Sequence, residues 1–149
     1  MRVLIHIVFV AICLGGGVLL GVANMPGQWY QSLEKPFFNP PEWVFAPVWS
    51  VLYVLIGIAG ARTFITARSS RAMNAWLTQL VLNFLWSPLF FGLEMPVLAL
   101  MVIVALLAAI VVFIAARWDK DRFAALLFVP YGAWVAFATL LNASIAYLN

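Results

Sequence analysis

Residues 29–53 read W-Y-Q-S-L-E-K-P-F-F-N-P-P-E-W-V-F-A-P-V-W-S-V-L-Y, and this stretch decides the fold. Its first half, crowded with Pro36, Pro40 and Pro41 among Glu34, Lys35, Asn39 and Glu42, is too polar and too proline-rich to lie in hydrocarbon. Its second half loses its charges and takes on helical spacing, with Trp49 and Tyr53 four residues apart on one face. Long apolar runs flank the whole stretch. The pattern is that of a stiff aromatic loop feeding a membrane helix.

Outward from this stretch, the chain divides into charge-free intervals. There are 31 uncharged residues between Arg2 and Glu34, 19 between Glu42 and Arg62, 22 between Arg71 and Glu94, 22 between Glu94 and Arg117, and 27 after Arg122. About 20 apolar residues span a bilayer, so each interval holds one helix. The 149 residues are 66% hydrophobic and 9% charged, with mean hydropathy +1.08, where a soluble domain carries about 25% charged residues. The expected architecture is an all-α membrane protein in one domain, 1–149. It has five transmembrane helices, at about 4–24, 43–63, 73–93, 96–116 and 123–147, and a Pro/aromatic-rich loop at 25–42. The first run is too long for a signal peptide and ends in a poor cleavage site, so it reads as a retained helix.

The net charge of +3 does not point to nucleic acid, because the basic residues cluster at helix ends. Arg2, Arg62, Arg68, Arg71, Arg117, Lys120 and Arg122 fall on one side of a five-span topology and Lys35 alone on the other. Positive residues favour the cytoplasmic side, which predicts a multi-pass protein in the lipid bilayer, N-terminus cytoplasmic and C-terminus outside.

Four of the five expected helices carry a candidate inward stripe. The first has Gly17 and Gly21 in a G-x-x-x-G, suited to close packing inside the bundle, to a dimer contact or to a flat wall facing a ligand. The second has Trp49, Tyr53, Gly57 and Gly60. In the third, Gln79, Asn83 and Ser87 recur every four residues beside Trp86 and Phe90, and Pro88 is expected to kink the helix. The fifth has Trp134, Ala138 and Asn142, with Tyr131 one turn earlier and Pro130 inside it. Intramembrane amides belong in a bundle interior, bonded to other helices or to a ligand. The fourth helix has Phe113 as its sole aromatic and no stripe, and is expected to be the most lipid-facing. In the loop, Trp29, Tyr30, Phe37 and Phe38 serve either as interfacial anchors or as a lid, with Trp43, Trp49 and Tyr53 as the first wall of a cavity beneath it.

Ordinary catalysis finds no footing. No carboxylate lies within a span to act as base or proton relay. There is no His/Cys metal cluster, no phosphate loop and no G-x-S-x-G elbow. His6 has no acidic or metal-ligating neighbour within a turn, lone Cys13 cannot form an internal disulfide, and no cofactor is implied. Convergent rings suit a flat, extended, apolar ligand.

Four motifs, in order, then carry a resemblance. W-Y-x-x-L-x-K-P-x-F-x-P-P (Trp29–Pro41), W-V-x-x-P-V-W-x-x-L-Y (Trp43–Tyr53), Q-L-x-L-N-x-x-W-x-P-x-F-F-G (Gln79–Gly92) and P-Y-x-x-W-x-x-F-A-T-x-L-N (Pro130–Asn142) resemble bacterial members of the TspO family. These are the tryptophan-rich sensory proteins related to the mitochondrial translocator protein, or peripheral benzodiazepine receptor. The resemblance implies a five-helix bundle, commonly a homodimer, that binds porphyrins such as protoporphyrin IX and isoquinoline or benzodiazepine ligands for sensing, sequestration or transport. It places ligand contacts at Tyr30, Trp49, Tyr53, Asn83, Trp86, Phe90, Trp134, Ala138 and Asn142. Some bacterial members degrade porphyrin in light, which would make Trp49 and Trp134 the catalytic residues of an alternative, enzymatic reading. A third reading is a structural or interaction protein with no ligand chemistry. Two departures stand out: residues 143–149 carry no Lys or Arg, which withdraws support from cholesterol as a partner, and Phe38 stands where many members have Trp.

Overall fold

A computed structural model describes residues 1–149. The chain is all-helical: α1 (Arg2–Ala23), α2 (Gln28–Ser32), a 3-10 turn (Glu42–Val44), α3 (Phe45–Thr66), α4 (Arg71–Ser87), a π turn (Pro88–Gly92), α5 (Pro96–Arg117) and α6 (Arg122–Leu148). Four helices are long and apolar enough to cross a membrane: α1, α3 with its 3-10 turn, α5 and α6. The expected third span is divided between α4 and the π turn.

Local chemistry sets the boundaries. Ser70 caps α4 by accepting from the Met73 amide at 3.1 Å, and Asp121 caps α6 by accepting from Ala124 at 3.4 Å. Pro47 lies in the first turn of α3, where its missing donor costs little. Pro88 ends α4 and the backbone widens, so that the Leu93 amide reaches back to the Pro88 carbonyl at 2.8 Å. Glu94 turns the chain with φ 56°, in the left-handed region, and α5 begins at Pro96. Helix α6 runs unbroken through Pro130.

The helices form a ring. Around it, α1 lies beside α3, α3 beside α6, α6 beside α5, α5 beside α4, and α4 beside α1. The core along its axis includes Leu52, Ile56, Trp76, Ile103, Phe113 and Phe128. Helices α1 and α3 approach closely because Gly57 has no side chain: a Cβ there would lie 2.6 Å from the Val10 Cα. The two glycines of the G-x-x-x-G have unlike surroundings. A Cβ on Gly17 would overlap the Tyr53 ring, while Gly21 has open space around it.

Three expectations are corrected. Helix α5 is not the most lipid-facing: it buries Ala99, Ile103, Leu106, Ala109, Ile110, Phe113 and Arg117, whereas α1 buries only Cys13. A helix apolar on every side gives no sign of which face is core, and α5 packs between α4 and α6. The 25–42 loop is not wholly irregular, because the proline-free interval between Pro26 and Pro36 admits α2. Trp43 is not a cavity wall; it is 75% exposed on the 3-10 turn.

Candidate functional site

The inward stripes of α3, α4 and α6 meet in a chain of hydrogen bonds. The Tyr53 hydroxyl donates to Asn83 Oδ1 at 2.6 Å, Asn83 Nδ2 donates to the Tyr131 hydroxyl at 2.7 Å, and that hydroxyl donates to Gln79 Oε1 at 2.7 Å. Gln79, Asn83 and Tyr131 are all buried. Buried amides and phenols are costly unless bonded, and bonded they hold three helices in one register. Trp49 lies against this chain, with its ring centroid 5.5 Å from Tyr53 and 6.5 Å from Tyr131.

A second group lies toward the loop. Trp86 stacks on Phe90 at 5.1 Å and 22°. Its indole donates to Asn142 Oδ1 at 2.9 Å, and Asn142 Nδ2 donates to the Pro96 carbonyl at 2.8 Å, which ties α4, α5 and α6 together. The π turn directs both Phe90 and Phe91 toward Tyr30, with ring centroids 6.3 Å and 5.3 Å away. Tyr30 is buried although it belongs to the loop, and Lys35 Nζ sits 4.6 Å above its ring. Burial pushes its phenol above the ordinary value; the Asn39 hydrogen bond opposes this and the Glu42 charge adds to it. Tyr30 is therefore a neutral hydroxyl. The loop is clasped to Asn149, whose side chain accepts from the Glu34 amide at 3.0 Å and donates to the Glu34 carbonyl at 2.9 Å. Phe37, by contrast, is 99% exposed.

Trp134 belongs to a third group. Its ring lies 5.9 Å from Phe45 of α3 and 5.6 Å from Phe137, and Phe137 lies 6.2 Å from Phe38 of the loop. Its indole nitrogen is buried with no hydrogen-bond partner, as is Gln79 Nε2. Ala138 is buried one turn further along α6. Trp49 and Trp134 thus line the α3–α6 seam, each held by its own set of rings.

The structure gives Tyr131 and Phe45 a larger part than the sequence did. Tyr131 is the middle of the hydrogen-bond chain, and its place seven and eleven residues before Ala138 and Asn142 puts it on their stripe. Phe45 precedes Trp49 and Tyr53 at the same four-residue interval. No group of three or more His, Cys, Asp or Glu side chains could hold a metal.

The model of the TspO/MBR family matches residues 9–148. The chain is 45% identical to the tryptophan-rich protein TspO of Archaeoglobus fulgidus over 123 residues, covering 81% of this chain and 80% of the relative. It is 36% identical to the tryptophan-rich sensory protein of Cereibacter sphaeroides, covering 97% and 91%. With the human translocator protein it shares 34% identity, covering 77% and 71%.

Proposed function

This chain belongs to the TspO/MBR family, and on that premise we propose that it binds a porphyrin, or a flat apolar ligand like it, between the aromatic stripes of α3, α4 and α6. The observation that carries this reading is the Trp134 indole N–H, buried without a partner inside a wall of rings. An unsatisfied buried donor is costly, and a planar ligand with polar groups at its rim would satisfy it while stacking on Trp49 and Trp134. Trp86 and Phe90 form the far wall. Because Phe90 and Phe91 also touch Tyr30, displacing those rings moves the loop, and the Glu34–Asn149 clasp resists that motion. The loop acts as a lid.

Protoporphyrin IX titrated into the purified protein tests this. Saturable quenching of Trp fluorescence at micromolar ligand is expected, weakened about tenfold or more in Trp49→Ala and Trp134→Ala, a loss of about 1.4 kcal/mol. Unchanged fluorescence, or equal affinity in both variants with their unfolding temperatures intact, defeats the proposal.

The 17 residues of α4 and the five of the π turn supply the fifth span in this reading, since 22 residues at ~1.5 Å each cover a ~30 Å hydrocarbon core. The arginine-rich end faces the cytoplasm, and α1 presents its exposed face to a second copy. Cysteines placed at Ser69 and Phe37 for sided labelling, and at Gly21 for cross-linking between copies, test both points. Labelling of Ser69 from outside would reverse the topology, and absence of a Gly21 cross-link would remove α1 from the interface.

A further inference from the structure

We propose that the turn between α3 and α4, together with the end of α5, forms a binding site for a phosphate group, separate from the aromatic interior. A half-open cavity of about 240 Å³ lies there, lined by Ser70, Arg71, Arg117 and Lys120 among small alanine side chains. With one water needing about 10–15 Å³ of such space, the cavity admits a tetrahedral oxyanion with part of its hydration. Three of its lining residues are cations and none is a carboxylate.

Arg117 is the centre of the site. It is only 4% exposed, yet its Nε is buried without a partner. Its Nη2 donates to Thr66 Oγ1 at 3.1 Å. The nearest carboxylate, Asp121, stands 3.8 Å from that nitrogen and gives both oxygens to Arg62, at 2.9 and 3.0 Å. A buried guanidinium donor left open is costly, and a phosphate oxygen is the acceptor its geometry suits. Arg71 and Lys120, both exposed, add charge at the rim.

The start of α4 reinforces this. Ser70 occupies the Met73 amide through its hydroxyl and the Asn74 amide through its carbonyl. The Arg71 and Ala72 amides remain as donors at the positive end of the helix dipole. The neighbouring cavity, lined by Arg2, His6, Arg62 and Asp121, has a carboxylate in its wall, whereas Asp121 lies outside the lining of the first. Basic pockets at the ends of membrane helices accept phosphate head groups, and free phosphate offers the same chemistry.

Native mass spectrometry of delipidated protein in non-ionic detergent separates the two sources. Short-chain phosphatidylglycerol, the matching phosphatidylcholine and inorganic phosphate are titrated in parallel into wild type, R71Q/K120Q and Arg117→Lys, with unfolding temperatures measured alongside. One bound anion per chain is expected, about tenfold or more weaker in R71Q/K120Q and in Arg117→Lys, which keeps the charge and loses the Nε donor. R71Q/K120Q decides the matter if Arg117→Lys fails to fold. Binding of phosphatidylglycerol alone assigns a lipid head group, and binding of inorganic phosphate assigns a free oxyanion. Equal binding of phosphatidylcholine and phosphatidylglycerol, no anion bound, or unchanged affinity in R71Q/K120Q overturns the proposal.

Discussion

At one end of the bundle, Arg62, Arg117 and Asp121 join α3, α5 and α6 through charge; at the other, Tyr30, Trp86, Phe90 and Asn142 join the loop to α4, α5 and α6 through rings and amides. Both ends leave a buried donor without a partner: Arg117 Nε in the first, and Trp134 Nε1 on the α3–α6 seam leading to the second. The environments differ in what would complete them. The charged end sits at the water boundary and asks for an anion. The aromatic end asks for a planar surface with a polar edge. On the two proposals above, one small bundle would hold two ligand chemistries apart, because its ends differ in residue type and in exposure to water.

Removing the carboxylate is the sharpest way to break the charged end. Asp121→Asn keeps an oxygen for the Ala124 cap and abolishes the charge shared by Arg62 and the buried Arg117. Because the Arg62 side chain is 38% exposed, a loss of about 2 kcal/mol in unfolding free energy is expected, against which a loss below ~0.5 kcal/mol would show the pair to be incidental. Burial alone would raise the Asp121 carboxyl. The Arg62 and Ala124 hydrogen bonds, with the Arg62 and Arg117 charges, outweigh that and hold it below the usual carboxylate range. Its stabilising contribution is therefore full above the unfolded value, about 3.9, and disappears as pH falls through the lower folded value. The gap between wild type and Asp121→Asn must close only under strongly acid conditions.

Much of this was legible in the sequence, and for physical reasons. Charge-free intervals place helices because hydrocarbon excludes charge, and four of them coincide with helices that can cross a membrane. The four-residue interval of Trp49 and Tyr53 placed their rings together, as their 5.5 Å separation shows. Packing among apolar helices was not legible. Lipid and protein core are equally apolar to α1 and α5, so neither composition nor period could tell the exposed helix from the buried one. The burial of Arg117 was hidden for a related reason: a basic residue at a helix end reads as a topology signal, whatever its side chain packs against. Trp43 failed the other way. It belongs to the aromatic stretch by composition, but the 3-10 turn places it outside the helical register that carries Trp49 and Tyr53 inward.

The hydrogen-bond chain between the two ends gives the next largest effect. Asn83→Leu fills a similar volume but leaves the Tyr53 hydroxyl without its acceptor, which should cost about 1–2 kcal/mol. Adding Tyr53→Phe removes the orphan, so the double variant should regain part of the loss. An additive double variant would mean that the Tyr53–Asn83 bond holds no register between α3 and α4.

The smallest expected effect on stability is the most informative about the aromatic end. Trp134→Phe deletes an N–H that has no partner and keeps a ring against Phe45 and Phe137. Lost ring area and relief of the orphan donor oppose each other, and the unfolding free energy should move by less than ~1 kcal/mol. Affinity for protoporphyrin IX should nevertheless fall, because the ligand loses the donor while keeping the stacking surface. At the charged end the Asp121 substitution is read through stability alone; here the edit separates stability from affinity. A large stability loss in Trp134→Phe would mean that the indole N–H is satisfied within the protein and that the two ends are built alike. Unchanged stability with unchanged porphyrin affinity would confine the Trp134 contribution to its ring face.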